Sequence, residues 1–118
     1  MKKILALAAL SVAASSGAFA QAFPSKPITF VVPFAAGGPT DLVARRLAEA
    51  MRKPLGGANI VVENAAGAGG TIAGTKVARA TPDGYTLLVW HIGMAATTSL
   101  YRKQQFKPLE DFEYLGMI

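Results

Sequence analysis

Apolar and polar positions change rhythm several times along this chain, and each change marks an element. Residues 28–33, Ile-Thr-Phe-Val-Val-Pro, are apolar nearly throughout. A run of this kind, without strict alternation, predicts a strand covered on both faces, as in a parallel sheet. It enters a small-residue loop, Phe34-Ala35-Ala36-Gly37-Gly38, after which the period lengthens. Val43, Leu47 and Met51 recur at i, i+4 and i+8, with Ala44 and Ala48 beside them and Arg45, Arg46, Glu49 and Arg52 opposite. That spacing predicts an amphipathic helix from Pro39 to Arg52. Pro39 suits the first helical position, where its missing N–H costs nothing, and Asp41 falls in the first turn, near the positive helix end. Pro54 and Gly56-Gly57 end the helix.

The same alternation of elements then returns. Ile60 to Asn64 reads as a second strand, Ala65-Ala66-Gly67-Ala68-Gly69-Gly70 as a second glycine loop, and Thr71 to Ala80 as a second helix interrupted by Gly74. Thr81-Pro82-Asp83-Gly84 is a turn signal. Tyr85 to His91 predicts a third strand, Gly93 to Lys103 a loop and a short helix, Pro108 to Asp111 a turn, and Tyr114 to Ile118 the start of a fourth strand. Ahead of all this, Gln21 to Pro27 is an extended lead-in in which Pro24 and Pro27 block helix. The first two units resemble each other at an offset of thirty residues: Val31-Val32 matches Val61-Val62, Ala35-Ala36-Gly37 matches Ala65-Ala66-Gly67, and Leu47-Ala48 matches Val77-Ala78. Shared strand–loop–helix chemistry explains that as well as duplication does. Strands alternating with helices through right-handed crossovers give an open α/β sheet, with both glycine loops at the carboxyl ends of neighbouring strands.

Composition changes the picture chiefly at the amino terminus. Lys2-Lys3, the apolar run Ile4 to Ala14 and Ala18-Phe19-Ala20 form the three regions of a secretory signal peptide, with cleavage expected after Ala20. The apolar run is shorter than the roughly 20 residues of a membrane span, so no membrane insertion is expected once the signal is removed. Cleavage leaves 98 residues and lowers the formal net charge from +5 to +3, which removes most of the support for a nucleic-acid partner. With no cysteine and one histidine, a zinc or haem site is not expected, and neither is another cofactor. Arg45, Arg46, Arg52, Lys53, Lys76 and Arg79 read as solvated helix faces.

Four chemistries compete for the glycine loops. Dinucleotide binding fits poorly, because Ala35-Ala36-Gly37-Gly38 is not G-x-G-x-x-G, Gly67 to Gly70 matches only in part, and a P-loop lysine is absent. Hydrolysis lacks a G-x-S-x-G elbow, and nothing in the spacing recommends pairing Ser25 or Ser99 with His91, whose plainer reading is a pocket wall or core residue. The loops could also be simple turns. The fourth reading is capture of a small carboxylate by backbone N–H groups that strand, glycine loop and helix N-terminus present together, without any reaction following.

At this point the chain resembles a known family. Pro24-Ser25-Lys26-Pro27-Ile28, Val31-Val32-Pro33-Phe34-Ala35-Ala36-Gly37-Gly38 and Asp41 are similar to the start of Bug-type solute receptors of tripartite tricarboxylate transporters. Glu63-Asn64, Gly67-Ala68-Gly69-Gly70, Val77-Ala78 with Ala80, Pro82-Asp83-Gly84-Tyr85-Thr86-Leu87, Tyr101, Pro108 and Asp111-Phe112 continue the match. The resemblance implies a periplasmic-binding-protein-like fold of type II, of which residues 21–118 would be part of the amino-terminal lobe, and a periplasmic receptor that works with membrane permease subunits and is not an enzyme. It implies that Phe34, Ala35, Ala36, Gly37 and Gly38, with Gly67, Ala68, Gly69, Gly70 and Thr71, hold a ligand carboxyl group partly through ordered water. His91, Ile92 and Met94 would line the wall. Family members are longer, so the chain is expected to be an amino-terminal fragment. The alternatives are an exported binding domain of another two-lobed receptor class or a secreted hydrolase fragment.

Overall fold

A computed structural model of the chain describes residues 22–118; the signal peptide expected at residues 1–20 lies outside the described residues. Three strands form one parallel sheet in the order β2-β1-β3, where β1 is Ile28–Val32, β2 Ile60–Asn64 and β3 Thr86–Leu88. Helix α1, Pro39–Arg52, joins β1 to β2. A 3-10 turn, Ala68–Gly70, and helix α2, Thr71–Ala78, join β2 to β3, and α3, Gly93–Leu100, follows. The expected α/β architecture is therefore present, and the neighbouring strands are β1 and β2, as the loop argument requires. Ile28 pairs with Ile60 and Val32 with Asn64, an offset of 32, so the thirty-residue sequence similarity is not the spatial register.

Side-chain alternation divides the core between two faces. Ile28, Phe30 and Val32 are buried with Ala44 and Ala48 of α1 and with Ile60. Val31 points the other way and is fully buried. Because the chain moves to one side of β1 through α1 and back across it through α2, right-handed crossovers put these two helices on opposite faces. The crevice at the reversal opens between the carboxyl ends of β1 and β3, the usual ligand position in such sheets.

Three expectations are corrected. Within α1 the buried stripe is Asp41, Ala44 and Ala48, flanked by half-buried Leu47 and Met51, while Val43 is exposed. Only small side chains fit where α1 meets the sheet this closely. The third strand is shorter than Tyr85 to His91. Its ladder runs from the Thr29 N–H bond to the Tyr85 carbonyl (2.8 Å) to the Val89 N–H bond to the Val31 carbonyl (3.0 Å), and then Trp90 and His91 turn out of the sheet. Tyr114 to Ile118 forms no strand. Its Tyr114 hydroxyl donates to the Pro108 carbonyl at 2.9 Å.

Candidate functional site

Three loops leave the carboxyl end of the sheet and meet there. The first, residues 33–38, follows β1. Gly37 has φ +81°, a conformation that suits a residue without Cβ, and the Gly38 N–H closes a tight turn on the Ala35 carbonyl at 3.2 Å. The second follows β2 and is rooted by the Ala65 N–H bond to the Val32 carbonyl at 2.8 Å. Four successive residues there have positive φ: Gly67 (131°), Ala68 (45°), Gly69 (61°) and Gly70 (96°). Ala68 is the one non-glycine residue with positive φ among the described residues, a strained conformation for a residue with a Cβ.

The third loop supplies the walls. Trp90 lies so close to Gly70 that a Cβ there would run into its ring, and Pro33 bounds the same spot. His91 stacks on Phe34 with ring centroids 4.9 Å apart and planes 10° from parallel. Its Nδ1 accepts the Gly93 N–H at 2.9 Å, which leaves the proton of the neutral ring on Nε2. The side chain ends on the exposed rim, where the sequence suggested a pocket wall or a core position. Tyr101, from the end of α3, places its hydroxyl over Gly69. Sequence reasoning missed Trp90 and Tyr101 as site residues. The signal for Trp90 was its place as the single tryptophan next to His91, but Tyr101 lies 32 positions from the glycine it covers.

Most of the candidate residues are gathered at this edge. Ala35, Ala36, Gly37, Gly67, Ala68 and Gly69 are exposed, Phe34, Gly38 and Thr71 are half-buried, and Gly70 is buried beneath Trp90. Ile92 is 85% exposed, and Met94 is the second residue of α3, where its sulfur lies 3.9 Å from the Tyr114 hydroxyl. The donors differ from the simplest expectation. The Gly37 N–H is not free, because it donates to Asp41 Oδ2 at 2.7 Å, and the Gly38 N–H is taken by Ala35. The Gly70 N–H donates to the Gly67 carbonyl at 2.8 Å, and the Thr71 hydroxyl to the Ala68 carbonyl at 2.9 Å. Among the described residues the N–H groups of Ala35, Ala36, Gly67 and Gly69 are among those with no protein acceptor.

Asp41 is 1% exposed and accepts from Arg45 Nε at 2.9 Å as well as from Gly37 and Asn64. The Arg45 guanidinium first, and then the Gly37 and Asn64 donors, hold its carboxyl far below the usual carboxylate range. The pair of Ser25 with His91 is not assembled. Ser25 bonds to Tyr85 at the amino end of β3, and His91 lies beyond the carboxyl end, about 20 Å along the strand direction. Among the described residues no three His, Cys, Asp or Glu side chains come together as metal ligands would. What remains is an open floor of small residues with unbonded main-chain donors and aromatic walls, chemistry suited to holding an anionic group.

A family model described as the tripartite tricarboxylate transporter family receptor matches residues 43–118. The chain is 51% identical over 96 residues to a protein of the TAR-I ttuE-ttuC' intergenic region of Agrobacterium vitis, covering 81% of this chain and 28% of that one. Among solved structures it is similar to the periplasmic binding protein BugD, with TM-score 0.74 and 56% identity over 77% of this chain and 30% of that one. It is also similar to MatC of Rhodopseudomonas palustris with bound malate, with TM-score 0.72 and 52% identity over 76% of this chain and 31% of that one. The chain thus spans roughly a third of the length of the relatives it matches.

Proposed function

Since the chain belongs to the tripartite tricarboxylate transporter receptor family, we propose that residues 22–118 form one wall of a periplasmic solute receptor that captures a small carboxylate and delivers it to membrane permease subunits. The observation that carries this reading is the pair of exposed glycine loops on neighbouring strands, with the Ala36 and Gly69 N–H groups unbonded, the Phe34 and His91 rings stacked on each other and Tyr101 over Gly69. Main-chain donors to an ionised acceptor contribute about 1.5–3 kcal/mol each. Small residues around them let the ligand approach closely. Phe34 to Gly38 and Gly67 to Thr71 form the floor, partly through ordered water, and His91, Ile92 and Met94 lie along the rim. No nucleophile or base is required of any of them.

The test uses a chimaera in which this chain replaces the matching segment of the malate-bound Rhodopseudomonas palustris relative, so that a complete receptor is titrated. In calorimetry with malate, Gly69→Val should weaken binding at least tenfold, a loss of about 1.4 kcal/mol or more. Gly69 has φ +61°, and a side chain there meets the Tyr101 hydroxyl. His91→Gln should do less, since glutamine keeps a donor and loses only the ring stack on Phe34. Malate diamide, which carries no carboxylate, should bind as poorly to the unaltered chimaera as malate does to Gly69→Val. If the diamide binds as well as malate, or Gly69→Val binds normally, backbone capture of a carboxylate is wrong.

A further inference from the structure

Asn64 is the last residue of β2 and leads directly into the second glycine loop, yet its side chain holds the first. Its Nδ2 donates to the Phe34 carbonyl at 3.0 Å and to Asp41 Oδ1 at 2.9 Å, and its Oδ1 accepts from Arg45 Nη2 at 3.3 Å. With both amide hydrogens and the oxygen engaged, the amide has one orientation. Asp41 completes the link. It is buried under the start of α1, and its other oxygen takes the Gly37 N–H and the Arg45 Nε–H. A carboxylate of the chain itself therefore stands where an anion would otherwise meet Gly37. Loops made of alanine and glycine have almost no side chains with which to pack themselves in place, so their relative position must be fixed from outside. Beyond the last ladder bond, from Ala65 to Val32, this polar cluster ties the first loop to Asn64 at the root of the second, alongside the packing of Pro33 and Trp90 on Gly70.

We propose that Asp41 and Asn64 are positioning residues that clamp the two glycine loops in a single relative placement, presenting Ala36 and the second loop as one preformed set of donors. For the identity of the ligand this rests on the carboxylate reading above; the clamp itself can be judged without ligand. Preorganisation of this sort strengthens binding by removing the ordering that the loops would otherwise undergo when ligand arrives. It also explains the burial of a carboxylate that makes no contact with solvent. A buried charge is tolerated when it is paired and hydrogen-bonded, and here the pairing runs to Gly37 in the first loop and to Asn64 at the root of the second.

Asp41→Asn keeps the side-chain shape and removes its charge, and Asn64→Ala keeps Asp41 with Arg45 and Gly37 while cutting the link to Phe34. In the chimaera without ligand, backbone 15N order parameters should fall at both loops in each variant. Ala36, Gly37, Gly67 and Gly69 should move from about 0.85 toward about 0.6, values typical of rigid and flexible backbone. Val89, bonded to Val31 outside the cluster, should not change. Malate affinity should fall at least tenfold in both. If Asp41→Asn does not fold, Asn64→Ala carries the same comparison. Order lost only around Gly37 in the first variant and only around Gly67 in the second would overturn the clamp, as would loops that stay ordered in both, and either result leaves the carboxylate reading standing. Loops that loosen together while malate affinity holds would support the clamp and overturn that reading.

Discussion

Ala68 and Gly70 are two residues apart in one loop and predict opposite outcomes. Gly70 has φ +96°, and a methyl group there would press on Trp90 and Pro33. Gly70→Ala therefore combines left-handed strain with overpacking and should destabilise by about 2–4 kcal/mol. Ala68 already carries that strain at φ +45°. Ala68→Gly relieves about 1–2 kcal/mol and loses about 0.5–1 kcal/mol to chain entropy, so a net gain in stability is expected. Urea titration of the chimaera measures both signs. Asp41 adds a pH dependence. Its folded value is depressed far below the usual carboxylate range by Arg45, Gly37 and Asn64, so its contribution is full above the ordinary aspartate value and is lost as pH falls below about 4. Acid titration followed by circular dichroism should show a shallower loss of stability in Asp41→Asn than in the unaltered chain. At this scale the glycine positions were legible, because positive φ leaves a mark on residue type. The capture of the Gly37 N–H was also within reach, since an acidic residue four positions on, in the first turn of a helix, is placed to accept from the loop. The pressure of Trp90 on Gly70 was not, because contacts between distant loops leave no local pattern.

Helix α1 and strand β2 were legible to the residue, Pro39–Arg52 and Ile60–Asn64, because proline, glycine and period mark them locally. The rotation of α1 about its axis was less so. Val43 reads as core by hydropathy, yet the seam against the sheet is Asp41, Ala44 and Ala48, and Val43 is on the outside. Ala44→Leu should therefore cost about 1–3 kcal/mol through overpacking, whereas Val43→Thr should stay within about 0.5 kcal/mol, both read from urea midpoints. The basic residues on the helices behave as solvated faces, several of them paired: Arg45 with Asp41, Arg52 with Glu49 at 3.3 Å and Lys76 with Glu63. Elements that depend on a partner were the hardest to read. Strand β3 ends where its ladder with β1 ends, and the apolar segment from Tyr114 is not a strand.

Taken whole, the described lobe has a narrow core and a wide apolar surface. Its sheet has three strands, so β2 and β3 each have one edge unpaired, and Ile92, Leu100, Leu109, Leu115 and Met117 are largely exposed. A domain of this size buries little surface, and open edges invite pairing between chains. Residues 22–118 produced alone should melt broadly or associate, and sedimentation with calorimetry will show it; a sharp, reversible transition from a monomer would contradict that expectation. Fold class was legible from the alternation of strands and helices, and the place of the candidate site from the two glycine loops, whereas the walls came from the third loop and from Tyr101. One of those walls has an optical use. Trp90 is the single tryptophan of the chain, and its ring rests against Gly70 with the indole N–H buried and without a protein partner. Emission from the chain, excited at wavelengths that tyrosine does not absorb, therefore reports on one spot against the second glycine loop, and a solute settling on that loop would announce itself as a change of colour or intensity with no label attached.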